Sequence, residues 1–467
     1  MSTDPTTSVD TLLHQADSLR RELSGNFRDQ LVQALYSDAE TIARRAVKPV
    51  GSRTRDWDQR LDQLATSPIF GLPIMLLLLS VVFWLTITGA NVPSALIAKG
   101  LFWIEAQAAT LFDLWGVPTW ITGFLWHGTY RGLAWVVSVM LPPMMIFFPC
   151  FTILEDFGYL PRVAFNLDWL FKKAGAHGKQ SLTMTMGFGC NAAGIIATRI
   201  IDSPRERLIA ILTNNFAPCN GRFPTLIMLA TVFVAAAFPP ALASVAAAGS
   251  VVMVVVLGIL FTLIVSAVLS RTLLRGEASA FTLELPPYRR PNISRILYTS
   301  LIDRTLFVLW RAIQTAAPAG AVIWILGNIF VGGTSLAAHT ASFLNPLGIA
   351  IGLDGVILLA YIIAIPANEI VVPTMLMVYM GLGTMTDAPA YDALRELLIG
   401  QHHWTMLTAV NLMLFSLLHN PCATTILTMW KETRSAKWTT FGALMPLALA
   451  FIVCFITATV ARLLGWV

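Results

Sequence analysis

The chain has 467 residues, of which 56% are hydrophobic and 12% are charged. Soluble globular proteins carry about twice that share of charged residues, so the composition excludes a soluble protein. The formal net charge of +5 does not indicate nucleic-acid binding, because the basic residues lie mainly in short loops, where they orient membrane segments. We therefore predict an all-α, polytopic membrane protein embedded in a lipid bilayer.

Residues 1–67 are polar and predict a cytoplasmic helical segment, because apolar residues recur there at roughly helical spacing. Arginines crowd toward the first apolar run, and a basic segment beside a membrane helix marks the cytoplasmic side. We expect a multi-pass protein of the bacterial inner membrane with its N-terminus in the cytoplasm. We expect no cleavable signal peptide, since the N-terminus is polar.

Apolar runs predict roughly eight transmembrane helices. They lie at residues 71–90, 133–154, 223–241, 244–269, 306–331, 347–365, 404–418 and 440–463. Residues 96–120 are semi-polar and rich in aromatic side chains, which fits an interfacial helix. The polar, arginine-rich stretch at 271–304 predicts a connector between two membrane halves, 68–270 and 305–467.

Each half contains two interruptions of its apolar sequence. In the first half, glycines surround Cys190, and Pro-Cys-Asn-Gly follows at 218–221; in the second, Ile-Pro-Ala-Asn-Glu lies at 365–369 and His-Asn-Pro-Cys at 419–422. Glycine and proline free backbone groups that lipid cannot satisfy, so such backbone lies inside protein or beside a water-filled path. Paired interruptions predict two inverted, gate-like repeats with a binding site at the midplane.

Cysteines and one carboxylate at these interruptions are candidate metal ligands: Cys190, Cys219, Cys422 and Glu369. The spacing of the five cysteines does not fit a disulfide framework, so reduced thiols are the default. Thiolates suit Fe(II), Zn(II) or Cu(I), and carboxylates suit harder cations. A charged residue at membrane depth is by default a functional hypothesis. The alternatives are that each cysteine packs as a small apolar side chain and that Glu369 leaves the membrane or pairs with a distant arginine.

Four polar residues extend the candidate set: Asn191, Asn420, Glu155 and Asp156. The asparagines would offer carbonyl oxygens to the same cation. The two acids follow a long apolar run and fit an ion entrance or a plain helix end equally well. His402 and His403 fit capture of metal outside the membrane, although interfacial solvation is the commoner explanation of such a pair.

Residues 178–181, Gly-Lys-Gln-Ser, do not complete a phosphate-binding loop. That pattern needs a glycine five residues before Gly178, where Lys173 stands, and Gln180 separates the lysine from the serine. The sequence contains no such loop elsewhere. We therefore expect that this chain is not an enzyme and binds no nucleotide.

Motifs in the correct order, from about residue 58 to the C-terminus, resemble the membrane part of the ferrous iron transporter B (FeoB) family. They are Leu-Glu-Asp-Phe-Gly-Tyr at 154–159, Gly-Phe-Gly-Cys-Asn at 187–191, Asp-Ser-Pro-Arg-Glu-Arg-Leu at 202–208, Pro-Cys-Asn-Gly-Arg-Phe-Pro at 218–224, a Glu- and Pro-rich stretch at 276–291, Ala-Asn-Glu-Ile-Val-Val at 367–372 and Asn-Pro-Cys-Ala-Thr-Thr at 420–425. Cys190 is followed by Asn-Ala-Ala where the family has Asn-Val-Pro, and Asn368 replaces the usual lysine. These departures bear on metal identity more than on the fold.

The resemblance implies import of Fe(II), the transported ion, along a path lined by the cysteines and Glu369. Family members usually begin with a GTP-binding domain, whereas about 67 residues precede the first span here. The resemblance therefore implies either a transporter with a separate GTP-binding protein as partner or a paralogue without nucleotide control. A homo-oligomer is compatible with it, and a nucleic-acid partner is not expected.

The function predicted from the sequence is Fe(II) import by alternating access or through a gated pore. Two alternatives within transport are another divalent metal, such as Zn(II) or Mn(II), and a nucleoside-like solute. An alternative of a different class is a non-transporting membrane scaffold that docks a GTP-binding protein through residues 1–67.

Overall fold

The computed structural model describes residues 27–46, 60–67, 69–275, 288–386, 389 and 391–465, together with positions 11, 15 and 18. The Glu- and Pro-rich stretch predicted as a family motif at 276–291 lies largely outside these residues. Most of the helical pattern predicted before residue 27 also lies outside them.

Helices make up almost all of the regular structure in the described residues, so the predicted all-α class is confirmed. In chain order they are α1 (Phe27–Ala46), α2 (Gly71–Leu114), α3 (Thr119–Thr122), α4 (Arg131–Phe157), α5 (Tyr159–Lys173), α6 (Gln180–Gly189), α7 (Asn191–Ala197), α8 (Pro204–Thr213), α9 (Phe223–Leu229), α10 (Pro240–Arg271), α11 (Ile293–Tyr298), α12 (Phe307–Asn328), α13 (Leu336–Ala350), α14 (Gly355–Ile363), α15 (Val371–Tyr379), α16 (Tyr391–Arg395), α17 (Met406–Leu418), α18 (Ala423–Thr433) and α19 (Ala436–Leu463). Strands β1 (Phe330–Val331) and β2 (Thr334–Ser335) pair antiparallel, with Phe330 opposite Ser335.

Wider and tighter helical turns connect several of these helices. The π-helical turns are Gly123–Tyr130, Ala230–Val234, Thr299–Leu306 and Glu396–Gln401, and the 3-10 turns are Thr198–Ile200, Asn214–Phe216, Asn220–Arg222, Ala235–Ala237 and Asn368–Ile370. Within the described residues, seven helical segments are long and apolar enough to cross a membrane, or eight if the bent pair α13 and α14 is one span. This count agrees with the predicted roughly eight spans.

Two of the predicted boundaries are wrong. Helix α2 continues without interruption for 44 residues, so residues 96–120 do not form a separate interfacial helix. At 1.5 Å per residue it is about 66 Å long, roughly twice the thickness of the hydrocarbon core, and it extends beyond the bilayer. The span predicted at 347–365 is interrupted, because α13 and α14 meet at 111°; Gly352 turns the chain there with a φ of 71°.

Loops that are far apart in sequence lie together on one face of the helix bundle. Arg205 Nε donates to the carbonyl oxygen of Leu274 at 2.5 Å, and the backbone N–H of Arg289 donates to the carbonyl of Phe157 at 3.4 Å. We call this the connector face, because both described ends of the connection between α10 and α11 lie on it.

The opposite face is held together by a different set of contacts. Arg131 Nη1 donates to Thr384 Oγ1 at 3.0 Å, and Arg131 Nε donates to the buried Glu105 carboxylate at 3.2 Å. Asn328 Nδ2 donates to the carbonyl of Gly383 at 2.6 Å. The outer part of α2, the start of α4 and the end of α12 therefore share this face with the loop that follows α15.

Helix α4 and the π-helical turn that precedes it cross α12 through small residues, so the backbones come into contact. A Cβ added at Gly132 would lie 2.7 Å from the Cα of Gly320, and one added at Gly128 would lie 3.3 Å from the Gly320 carbonyl oxygen. Close approach at small residues is a common way for helices to pack where lipid removes the hydrophobic driving force. This crossing joins the helices that precede the two halves of the candidate site.

Candidate functional site

The first element of the site is a helical hairpin, which we call hairpin 1, formed by α6 and α7 with Cys190 at its tip. Cys190 has extended backbone angles (φ −154°, ψ 123°), so one helix ends and another begins there. At the mouth of the hairpin, Lys179 Nζ donates to the carbonyl of Ile200 at 2.9 Å and to Asp202 Oδ2 at 3.1 Å. The ten residues of α6 span about 15 Å, half the hydrocarbon core, which carries Cys190 from the connector face to about mid-depth.

The second element is hairpin 2, formed by α14 and α15 and approaching from the opposite face. Ala367, at its tip, repeats the extended backbone angles of Cys190 (φ −154°, ψ 122°), and Glu369 follows in a 3-10 turn. At its mouth the Tyr379 hydroxyl donates to the Asp354 carboxylate, and Trp404 Nε1 donates to the Tyr379 oxygen at 3.1 Å. Each arm has nine residues, so this tip also reaches about mid-depth.

Each hairpin is followed by a membrane helix that is broken in the middle. The first break, residues 214–222, separates α8 from α9 and contains Cys219, which precedes a 3-10 turn. The second break, residues 419–422, separates α17 from α18, and Cys422 is the N-cap of α18. The positive end of a helix dipole favours negative charge on the residue at such a position, which suits a thiolate.

Both hairpin tips and both breaks line one small cavity of about 30 Å³, which we call the central cavity. Its lining includes five of the eight predicted ligands: Cys190, Asn191, Cys219, Glu369 and Cys422. A cavity of this size has room for about one or two water-sized particles. Residues that lie in four separate sequence motifs therefore surround a space that a single ion would fill.

The side chains around the central cavity do not form a closed ligand cluster. Among the described residues, no three His, Cys, Asp or Glu side chains lie close enough to one another to hold a metal ion together. Structural metal sites surround the ion with preformed ligands, typically four for zinc. The central cavity therefore differs from a structural metal site, and an ion there would draw its ligands inward.

Glu369 lies directly against the first break. A Cβ added at Gly221 would overlap the Glu369 carboxylate, with its Cδ atom only 2.6 Å away. Only glycine leaves room for the acid at this point, so the carboxylate of the second repeat sits beside the backbone that carries the cysteine of the first repeat.

Amide side chains connect the four elements around the cavity. Asn368 Nδ2 lies 3.8 Å from Cys219 Sγ, and Asn368 Oδ1 lies 3.2 Å from His419 Nε2. Asn214 Nδ2 donates to the carbonyl of Asn191 at 2.9 Å. These contacts tie hairpin 2 to both breaks and hairpin 1 to the first break.

Sequence reasoning missed Arg222, which is buried beside the cavity with 1% of its surface exposed. Its Nη1 donates to the carbonyls of Asn215 and Leu417 at 2.9 and 2.8 Å, and its Nη2 donates to Asn215 Oδ1 at 2.9 Å and to the His419 carbonyl at 3.4 Å. A guanidinium offers five donors in a fixed plane, and here it satisfies carbonyls freed by both breaks. The rule that singled out Glu369, an intramembrane charge, would also have found Arg222.

Comparison with known proteins agrees with this repeated arrangement. The family model described as "Gate: Nucleoside recognition" matches residues 137–234 and 309–436, and each segment contains one hairpin and one broken helix. The model "Ferrous iron transport protein B C terminus" matches residues 251–303. A relative from Staphylococcus aureus, "Fe(2+) transporter FeoB", is 29% identical over 464 residues, covering 96% of this chain. These matches are consistent with the membrane domain of FeoB proteins.

The match to FeoB proteins spans only part of their length. The chain covers 65% of the Staphylococcus aureus relative. A "Fe(2+) transporter FeoB" from Synechocystis sp. is 29% identical over 435 residues, which are 92% of this chain and 67% of that protein. A relative from Porphyromonas gingivalis, "Fe(2+) transport protein A/Fe(2+) transporter FeoB fusion protein", is 27% identical over 443 residues, 85% of this chain and 51% of that protein. No solved structure matches the chain.

Three of the predicted ligands lie away from the central cavity. Asn420 lines a separate, largely apolar cavity of about 340 Å³, together with Tyr361. Glu155 lines a cavity of about 720 Å³ on the connector face. Asp156 is exposed and lines none of these three cavities. The structure therefore separates these residues from the three cysteines and Glu369.

Proposed function

We propose that this chain carries Fe(II) across the membrane through the central cavity, with Cys190, Cys219, Cys422 and Glu369 as transient ligands. The observation that carries the proposal is that two hairpin tips and two helix breaks deliver three thiols and one carboxylate to a single ion-sized space. The choice of ion is supported by the relatives from Staphylococcus aureus and Synechocystis, which are named Fe(2+) transporters.

The ligand chemistry fits a borderline cation that must be released again. Fe(II) accepts both thiolate and carboxylate ligands, and these can replace its water one at a time. Isolated charges are costly at mid-depth, so the ion and its ligands would neutralise one another, with the thiol protons released as metal binds. Ligands that are not preassembled hold an ion less tightly, and conduction requires weak binding.

The same geometry argues against the nucleoside-like solute. The central cavity, with room for about one or two water-sized particles, is too small for a nucleoside, so such a solute would have to bind elsewhere, outside the proposed ligand set. Among metals, competition of Zn(II) and Mn(II) with Fe(II) during uptake would rank the alternatives. We propose Fe(II) as the preferred ion of this series.

We further propose that the connector face is cytoplasmic and that transport is inward across the inner membrane. Basic residues concentrate on that face: Lys172, Lys173, Lys179, Arg199, Arg205, Arg207, Arg271, Arg275 and Arg289. Cytoplasmic loops carry such an excess. A membrane-impermeant maleimide should label an Arg275→Cys variant only after the cells are permeabilised, whereas a Leu114→Cys variant on the opposite face should react in intact cells.

We also propose that a separate GTP-binding protein regulates transport and that copies of the chain associate with one another. The fusion of a transport protein A with a FeoB transporter in the Porphyromonas gingivalis relative supports partner proteins in this family. Uptake should therefore be measured with the chain alone and with a candidate GTP-binding partner plus GTP. Flux that requires the partner would support regulated transport, and flux from the chain alone would contradict it.

The decisive experiment is anaerobic uptake of labelled Fe(II) into liposomes that contain the purified chain. A triple variant, Cys190→Ser, Cys219→Ser and Glu369→Gln, should lower uptake about tenfold or more, the usual scale for disturbed metal sites. Cys150→Ser, which changes a thiol that does not line the central cavity, is the matched control and should retain uptake. Unchanged uptake in the triple variant would overturn the proposal.

A further inference from the structure

The cavity of about 720 Å³ on the connector face, which we call the vestibule, has no role in the proposed ligand set. It lies next to the central cavity, because Val308 lines both. Helices of both repeats surround it, from α4 through α7 on one side to α12 and α18 on the other. Its volume falls in the range of about 300–1,000 Å³ that is typical of small-molecule sites.

One wall of the vestibule is apolar. The residues on this wall come from four consecutive helices, α4 to α7: Phe151, Leu160, Leu182, Met186, Ala193 and Ile196. Apolar side chains of this kind contribute about 25 cal/mol for each Å² that an apolar ligand removes from water. The wall suits a flexible acyl chain and offers nothing to a hydrated ion.

The charged side chains of the vestibule lie on the remaining lining. The basic ones are Arg199, Arg311, Lys431 and Arg434, and the acidic ones are Glu155 and Glu432. Four basic side chains against two acidic ones give the lining a formal excess of two positive charges. A transported divalent cation would be repelled from such a surface, whereas an anion would be attracted.

The Glu432 side chain is engaged within the protein. The Glu432 carboxylate accepts from Arg199 Nη2 at 2.6 Å and from Arg207 Nη2 at 2.7 Å. Lys431 and Arg434, which are exposed at the same end of α18, extend the positive surface toward the connector face. Lys431 and Arg434 therefore place positive charge at the exposed end of the vestibule, whereas Arg311 is buried within it.

We propose that the vestibule binds an anionic phospholipid. Its headgroup phosphate would contact Lys431 and Arg434, and its acyl chain would lie along the apolar wall. Basic pockets between transmembrane helices are known to hold lipid headgroups in this way, and guanidinium groups bind phosphate through paired hydrogen bonds. The inference does not depend on which ion the central cavity carries.

Lipid binding to the full chain in detergent tests this inference. The probes are phosphatidylglycerol, phosphatidylcholine with the same acyl chains, and inorganic phosphate, and the readouts are native mass spectrometry and the melting temperature. We expect phosphatidylglycerol to bind and to raise the melting temperature, and the other two to do so at least about tenfold more weakly. The paired variant Lys431→Gln and Arg434→Gln should lower phosphatidylglycerol affinity about tenfold.

The matched control is the pair Lys172→Gln and Lys173→Gln, which removes two positive charges from α5 outside the vestibule lining. It should leave phosphatidylglycerol binding unchanged. Equal binding of the two lipids, or an equal loss in the control pair, would overturn the site. Binding of inorganic phosphate as tight as that of phosphatidylglycerol would assign the vestibule to a soluble anion and overturn the lipid proposal.

Discussion

The two repeats share one plan of hairpin followed by broken helix, yet they close their hairpins with different chemistry. The mouth of hairpin 1 is an ion pair in which the Asp202 side chain is 81% exposed and Lys179 is 17% exposed. The mouth of hairpin 2 is a chain of hydrogen bonds from Trp404 to Tyr379 to Asp354. Exposed ion pairs contribute little to stability, whereas partly buried hydrogen bonds to a carboxylate contribute more.

The breaks differ in a complementary way. The first break has nine residues, 214–222, and supplies the donors Arg222 and Asn215. The second break has only four residues, 419–422, and the carbonyls of His419 within it and of Leu417 just before it accept from those donors. The two hairpin tips also differ in the ligand they carry: hairpin 1 carries the soft thiol of Cys190, and hairpin 2 carries the hard carboxylate of Glu369. Neither repeat therefore has a complete site, and the junction between the repeats creates the central cavity.

The largest effect on this junction should come from Arg222→Gln. The substitution removes donors from backbone carbonyls of both breaks, and each buried polar group left without a partner costs about 1–3 kcal/mol. We expect the free energy of unfolding to fall by more than about 3 kcal/mol, measured by denaturant or thermal unfolding in detergent.

Arg275→Gln is the matched control for that measurement. Arg275 is exposed, and its Nε donates to the carbonyl of Arg271 within the same segment, so the change should stay within about 0.5 kcal/mol of the parent protein. If the two variants were equally stable, Arg222 would not be what joins the two breaks.

A second substitution should separate transport from stability at the same junction. In Gly221→Ala the new Cβ must displace the Glu369 carboxylate, which is the end of a flexible side chain. We expect uptake to fall about tenfold, while the free energy of unfolding changes by less than about 1 kcal/mol. Gly249→Ala, where no heavy atom lies within 4 Å of the new Cβ, should leave uptake unchanged. A comparable loss of uptake in that control would contradict the assigned position of Glu369.

The parts of the site that could be predicted from the sequence are those that depend on neighbouring residues along the chain. Glycine and proline are local signals, and they located the tips and breaks that carry Cys190, Cys219, Cys422 and Glu369. The partners of Arg222 are not local, since its Leu417 contact joins residues 195 positions apart. Residue spacing within one segment therefore predicts neither the role of Arg222 nor the central cavity that the two repeats share.

Local patterns also misled in two places. Asn420 is only two residues from Cys422, but the second break directs it to the 340 Å³ cavity rather than to the central cavity. Aromatic and polar residues after residue 95 suggested an interfacial helix, although Pro93 is accommodated within one continuous helix. The first error arose because sequence proximity does not determine which cavity a residue faces, and the second because neither a proline nor a change in composition is enough to end a helix.

Substitutions at the two hairpin mouths should lower the free energy of unfolding by different amounts, and by less than Arg222→Gln does. Tyr379→Phe keeps the ring that packs on His402, with centroids 4.1 Å apart, but removes the hydroxyl that joins Asp354 and Trp404. We expect a loss of about 1–3 kcal/mol, against less than about 1 kcal/mol for Lys179→Gln at the other mouth. Unfolding of both variants under identical conditions checks this order, and the reverse order would show that the ion pair is the stronger closure.

The smallest effect should be a pH dependence confined to the mouth of hairpin 1. The hydrogen bond from Lys179, together with its positive charge, lowers the pKa of the Asp202 carboxyl below its usual value. The folded protein then binds fewer protons at this group than the unfolded chain, whose aspartate pKa is about 3.9. The stabilisation is therefore fully present above that value and is lost as the pH falls through the lower folded pKa.

Unfolding of the parent protein and of Asp202→Asn between pH 3 and pH 7 would measure this contribution. The stability difference between the two should be largest at the upper end of the range and should shrink as the pH approaches 3 and below. Because the carboxylate is exposed, high salt should screen the ion pair and remove the difference. A difference that neither salt nor acid reduces would mean that the Asp202 side chain stabilises hairpin 1 through hydrogen bonding that does not depend on its charge, and the mouths of the two hairpins would then differ less than the structure indicates.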